Sequence, residues 1–272
     1  MNDFYMKGML NYEDDMNILI ANQQYDHISS EPVNFTYNFT DNRLEHLCEK
    51  YQLKKIAGNG SEFIQLLRIT FWLASTLILG QSESTESFHA LEVLEKTNQG
   101  FRSNCFVAAT VLTECFLSLG FNARMVRCMP IDLRFNECHC MTIAYLRSLN
   151  KFVAFDPAMG GCYINSNGGP MHILEIRNAL INGDDIKIRS IFPNISITKI
   201  KPYLTKNMIR FQSHRDNKYG CESNVKHDVM INLNPTTMPI KNKIGIISHK
   251  CIEHIFVYNE SIFLENHSET YN

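Results

Sequence analysis

Apolar positions along this chain change period several times, and each change marks an element. Val33-Asn34-Phe35-Thr36-Tyr37-Asn38-Phe39 alternates apolar and polar side chains, the period of a half-buried strand, within a first forty residues that otherwise read as polar and irregular. Thr40 or Asp41 then caps a helix running to Tyr51. Ser61 precedes a longer helix, with Glu62 in its first turn and Phe63, Leu66, Leu67, Thr70, Phe71, Ala74 and Leu77 as its apolar stripe. A third helix covers 88–96 and is broken by Asn98-Gln99-Gly100. Ser103 or Asn104 can cap a fourth, which runs to Leu119 and stops at Gly120, a residue suited to the left-handed position after a helix.

Strands follow. Residues 123–129, 138–146 and 152–156 read as three, the last two joined around Ser148-Leu149, and Pro157 with Gly160-Gly161 is expected to end the sheet run. Beyond residue 170 the pattern predicts helices near 173–181 and 199–211 and strands at 229–233 and 252–258, with the charged stretch 214–228 as a loop. Gly160-Gly161 and Gly168-Gly169 flank a loop that could line a site or form a lid, although such glycines more often merely turn the chain. Helices first and an antiparallel run afterwards argue for an α+β fold.

The chain has 272 residues, room for one large domain or two small ones. Hydrophobic residues at 44% and charged residues at 20% place it among globular chains that bury a real core. Lys plus Arg number 26 and Asp plus Glu 28, a net charge of −2, so nothing suggests a surface for nucleic acid or for anionic membrane. The longest apolar run, 69–79, is too short to cross a bilayer and reads as a buried helix. Nine scattered cysteines fit a reducing compartment rather than a disulfide framework, and Met1-Asn2-Asp3-Phe4 opens no secretory signal. A cytoplasmic location is the expectation. The Asn-x-Ser/Thr sites at Asn34, Asn38, Asn59, Asn194, Asn259 and Asn266 then carry little meaning.

Chemistry concentrates between residues 100 and 161. Cys105 stands at a helix start, where free N–H groups and the helix dipole favour a thiolate, and Ala108, Ala109, Leu112, Phe116 and Leu119 put it on the inward face. By itself a core-facing Cys is a small hydrophobe. The hairpin adds more. If residues 147–150 form a symmetric connection, Leu146 pairs with Lys151 and Met141 lies opposite Asp156. His139 is two residues from Met141, so His139 and Asp156 share a sheet face as diagonal neighbours. An imidazole held by a carboxylate, near a thiol, is the arrangement nucleophilic catalysis requires. For the oxyanion, the Cys105 N–H is one candidate donor and Gln99, six residues upstream, a second.

The segments Asn-Cys-Phe-Val-Ala-Ala-Thr-Val-Leu-Thr-Glu-Cys-Phe-Leu-Ser-Leu-Gly-Phe-Asn-Ala-Arg-Met-Val (104–126), Cys-His-Cys-Met-Thr-Ile-Ala-Tyr (138–145) and Lys-Phe-Val-Ala-Phe-Asp-Pro (151–157) resemble the transglutaminase-like cysteine enzymes. That resemblance implies a papain-like α+β core with N-terminal helices packed on an antiparallel sheet. It assigns the nucleophile to Cys105, the base to His139 and the orienting carboxylate to Asp156. It extends more weakly from Thr40 to Phe211, which divides the chain into an extension (1–40), a catalytic domain (41–213) and a C-terminal extension packed on the core (214–272). Two departures stand out. Phe152 occupies a position where the family usually has Trp, and no acidic cluster resembles the calcium sites of the animal enzymes.

The resulting expectation is cysteine-dependent acyl transfer or hydrolysis at an amide or thioester carbonyl, through an acyl-thioester. The implied partners are a peptide, amide or acyl-thioester substrate and, for transfer, an amine acceptor, with no cofactor. A cysteine protease and a non-catalytic peptide-binding module on the same fold are the alternatives. Cys138-His139-Cys140 as a zinc site fits poorly, because on a strand both thiols point away from the imidazole. Trp72, on an apolar helix face, reads as core, and 199–206 as a solvated basic face.

Overall fold

In a computed structural model, residues 12–26, 33–81, 88–131, 138–223, 229–238 and 253–264 are described. The first residues, Met1 to Phe4, the start of the predicted last strand at Ile252, the Asn266 site and part of the expected loop, 224–228, lie outside them.

The N-terminal stretch is not wholly irregular: Tyr12–Ala21 forms a helix, α1, with Glu13, Asp14 and Asp15 in its first turn, where the dipole favours acids. The alternation after Val33 survives as burial, with Val33, Phe35 and Tyr37 inside, although only β1 (Thr36–Tyr37) pairs as strand. Asp41 caps α2 (Asn42–Lys50) by accepting from Arg43 N. A short α3 (Leu53–Ala57) follows, then α4 (Glu62–Thr76), capped by Ser61. Trp72 of α4 is half-buried against Tyr51. Next come β2 (Ile78–Leu79), α5 (Ala90–Thr97) and β3 (Arg102–Ser103). Of the two candidate caps, Asn104 closes the start of α6 (Cys105–Ser118) by accepting from Val107 N at 3.0 Å.

The strands are β4 (Ala123–Met129), β5 (His139–Leu146), β6 (Lys151–Asp156), β7 (Gly161–Asn165) and β8 (Ile186–Ser190), with α7 (Ile173–Asn182) inserted before β8. After α8 (Ile197–Asn207) come β9 (Arg210–His214), β10 (Asp216–Asn217), β11 (Val229–Leu233), β12 (Glu253–Val257) and α9 (Glu260–Leu264). One eight-stranded sheet runs β12-β11-β9-β4-β5-β6-β7-β8, antiparallel throughout except where β11 and β12 pair in parallel.

Three sequence expectations need correction. The sheet does not end at Gly160-Gly161, because β7 begins there. A Cβ on Gly161 would lie 1.7 Å from the Arg189 carbonyl oxygen of β8, so this glycine permits a close strand approach rather than stopping the sheet. The helix predicted over 199–211 stops at Asn207, and Phe211 belongs to β9, whose five residues are all buried and paired on both edges. Part of 214–228 is ordered as β10 and a 3₁₀ turn, Cys221–Ser223, rather than as plain loop.

The core lies between α6 and the sheet. Every residue from Val107 to Leu117 is buried, which explains why this helix is apolar all round rather than on one stripe. Phe116 meets Phe155 of β6 edge-on at 5.1 Å, and Thr142 Oγ1 of β5 donates to the Ala109 carbonyl at 2.9 Å. Thr142 and Phe155, directly paired, therefore mark the face covered by α6. The other face meets α8 at Tyr203. No helix among the described residues is long and apolar enough to cross a membrane.

Candidate active site

The β5–β6 hairpin has the symmetric register its sequence predicts. Leu146 pairs with Lys151 and Thr142 with Phe155, across a 3₁₀ turn (Arg147–Leu149) and Asn150 at φ +50°. By alternation His139 and Asp156 then share the face opposite Thr142, and their side chains meet: His139 Nε2 and Asp156 Oδ2 are 2.7 Å apart, both fully buried. Asp156 is held from two further sides. Its Oδ1 accepts from Met159 N at 3.0 Å, and its Oδ2 accepts from the Tyr163 hydroxyl at 2.8 Å. A carboxylate fixed this way leaves the imidazole one orientation, with Nδ1 as the nitrogen not engaged by Asp156.

Cys105 arrives from the tip of α6. Its thiol donates to the Cys138 carbonyl at 3.6 Å, at the entrance to β5, and it is half-buried, whereas Cys115, Cys128, Cys140 and Cys162 are buried. His139 Nδ1, the ring nitrogen that Asp156 does not engage, is buried, and Cys105 is the thiol that interacts with this imidazole. The sulfur is polarised from several directions. The Cys140 thiol, donating toward it, holds its pKa well below the ordinary 9.0; burial opposes this, and the hydrogen bond and charge of His139 reinforce it. Burial would lower the imidazole, but the charge and hydrogen bond of Asp156, joined by Cys105, raise it from 6.5 to about 10. A thiol pulled down beside an imidazole pushed up favours the thiolate–imidazolium pair. Elsewhere burial drives thiols the other way: Cys162 is pushed up to about 12, and Cys115 and Cys128 also rise.

The structure thus brings Cys105, His139 and Asp156 together. Gln99 is different. It sits exposed in the turn after α5, where its backbone N–H bonds the Lys96 carbonyl, and no described hydrogen bond carries its side chain toward Cys105. Phe152 stands four residues from Asp156 along β6, stacked under Arg124 at 4.2 Å, so it forms no wall of the site. The aromatic side chain against the imidazole is Tyr203 of α8, its ring edge-on to His139 at 5.2 Å. Lys206, expected on a solvated face, is buried with its ammonium 5.9 Å from that ring. Cys138 and Cys140 lie with their sulfurs 3.8 Å apart, and among the described residues no group of three or more His, Cys, Asp and Glu side chains is arranged to hold a metal.

Tyr163 and Tyr203 were not legible beforehand. Each is a lone aromatic on its element, and only the tertiary arrangement of β7 and α8 delivers it to the hairpin.

No family profile matches the chain. No curated protein matches it in sequence either. Among solved structures, a putative cysteine protease from Cytophaga hutchinsonii is similar over 56% of this chain and 53% of its own, at 14% identity and a TM-score of 0.36. A TGase is similar over 42% of this chain and 30% of its own, at 16% identity and a TM-score of 0.30. Red sea bream transglutaminase is similar over 79% of this chain and 46% of its own, at 10% identity and a TM-score of 0.34. The chain thus spans about half or less of the length of each. Likenesses this distant carry no argument about activity, which has to come from the site.

Proposed function

We propose that the protein is a cysteine-dependent acyl-transfer enzyme acting on an amide or thioester carbonyl. The observation that carries this reading is the continuous path from the Asp156 carboxylate through the His139 ring to a half-buried thiol at a helix tip. The thiol proton passes to His139, and the sulfur attacks the carbonyl carbon. A C–S bond forms while the carbonyl π pair moves to oxygen. When the tetrahedral species collapses, the bond to the leaving amine or thiolate breaks and that group takes the proton from His139. Asp156 keeps the imidazole in one tautomer and stabilises its cationic form. Water or an amine then attacks the acyl-thioester with His139 again as base, releasing an acid or a new amide.

Intact-mass analysis after incubation with short peptide amides and acyl-thioesters tests the reading. An adduct equal to the acyl group is expected on the wild type and absent from Cys105→Ala. An adduct that persists in Cys105→Ala, or that maps to another cysteine, would remove Cys105 from the chemistry.

A further inference from the structure

An acyl transfer of this kind creates negative charge on the carbonyl oxygen, and Gln99, the side chain expected to meet it, is exposed in the turn after α5, with no described hydrogen bond to Cys105. Another donor is in place. The Tyr203 hydroxyl donates to the Cys138 carbonyl at 3.4 Å, the same oxygen that accepts from Cys105 Sγ at 3.6 Å. Phenol and sulfur therefore flank one acceptor, and the tyrosine ring packs edge-on against the imidazole that takes the thiol proton. Tyr203 is 8% exposed, so most of its side chain is withdrawn from water.

We propose that Tyr203 is the oxyanion donor of this site: its hydroxyl swings from the Cys138 carbonyl to the oxygen of the tetrahedral species formed on Cys105. At 3.4 Å the bond to Cys138 is longer than a good O–H···O contact and is given up cheaply. The oxyanion is charged where the Cys138 carbonyl is neutral, so the new bond is stronger in the transition state than in the resting site, which is the condition for catalysis. With Cys105 ionised the sulfur no longer donates to Cys138, and the exchange begins as that sulfur attacks the carbonyl carbon and charge builds on its oxygen. As the intermediate collapses, the oxygen lone pair re-forms the C=O bond and the hydroxyl returns to Cys138. No proton leaves Tyr203 at any stage. The backbone N–H of Cys105, at a helix start where donors lack intrahelical acceptors, supplies the second bond.

The inference rests on the proposed function, and two probes separate their failures. Iodoacetamide alkylates a thiolate by displacement and forms no oxyanion; p-nitrophenyl acetate acylates it through one. For Tyr203→Phe, which keeps the ring against His139, the alkylation rate of Cys105 should match the wild type while the acylation burst slows about 100-fold. Unchanged acylation would overturn the oxyanion role and leave the triad standing. Loss of both rates together would overturn it too, showing that Tyr203 acts on the thiolate–imidazolium pair. A wild-type Cys105 that iodoacetamide does not label would instead overturn the proposed function beneath it.

Discussion

His139 and Cys105 depend on each other at the scale of single residues. An imidazole raised from 6.5 to about 10 and a thiol held well below 9.0 coexist as cation and anion from the thiol's lowered pKa up to about 10. Acyl transfer needs the imidazolium proton for the leaving group, so its rate should decline as pH rises through about 10. Stability follows the same sign. His139 has a folded pKa above its unfolded one, so its contribution is complete below about 6.5 and is lost as pH rises through about 10. Asp156→Asn keeps a side chain of the same size but removes the charge that raises the imidazole. It should lower acyl transfer about 10²- to 10⁴-fold and move the alkaline limb of the pH–rate profile downward. A variant with an unshifted limb would show that Asp156 does not set the imidazole pKa. Cys105, His139 and Asp156 were readable from the sequence because a helix cap and a hairpin register are local properties. The partners Tyr163 and Tyr203 come from elements whose position relative to the hairpin is not encoded locally.

Glu114 shows how elements are tied together around the site. It lies on α6, fully buried, and accepts from Ala90 N at the start of α5 at 2.6 Å and from Gly220 N at 2.7 Å. Burial pushes its carboxyl from 4.5 up to about 8, against the pull of those two N–H groups. The sign here is opposite to that of His139. An acid whose folded pKa is raised binds its proton more tightly when folded, so the protein should lose stability as pH climbs from about 4.5 to about 8 and level off above. Glu114→Gln turns one acceptor into a donor facing an N–H and should cost about 1–3 kcal/mol at pH 5. It should also flatten that part of the curve. Urea unfolding at pH 5 and pH 8.5 measures both effects, and a variant as pH-dependent as the wild type would acquit Glu114. Nothing in the spacing of α6 announces this residue, because a lone Glu on an apolar helix reveals its purpose only when its N–H partners from other elements are seen. Gly161 is a similar lesson in reverse. The glycine is legible in the sequence, yet the pattern around it points to an end of the sheet. The close approach to β8 explains its presence, and Gly161→Ala should lower stability by more than about 2 kcal/mol in the same assay.

Across the whole molecule one sheet takes strands from both sides of residue 213. Helices first and an antiparallel run after them point to the α+β class. They could not give the position of β9, which pairs with β4 from more than eighty residues away in sequence. The N-terminal helix is also bound to the rest. Arg177 of α7, fully buried, donates to the carbonyls of Asn22, Gln23 and Met208 and so joins the end of α1 to the end of α8, the helix that carries Tyr203. Arg177→Ala leaves those carbonyls without their donor and opens a cavity. It should cost about 2–4 kcal/mol in a denaturant melt. Because α8 is loosened with it, acylation should fall further than the occupancy of the folded state explains; a loss that tracks stability alone would deny the connection to the site.

The ion pair at the helix tip can be tested most directly by mapping, residue by residue, the rate of iodoacetamide labelling between pH 5 and 9 in the wild type and in His139→Gln. Cys105 should react well ahead of Cys115, Cys128 and Cys162, keep more of its rate than they do as pH falls, and shift its profile to higher pH in His139→Gln. A wild-type Cys105 that already titrates like an ordinary thiol, or one indifferent to the loss of His139, would contradict the account.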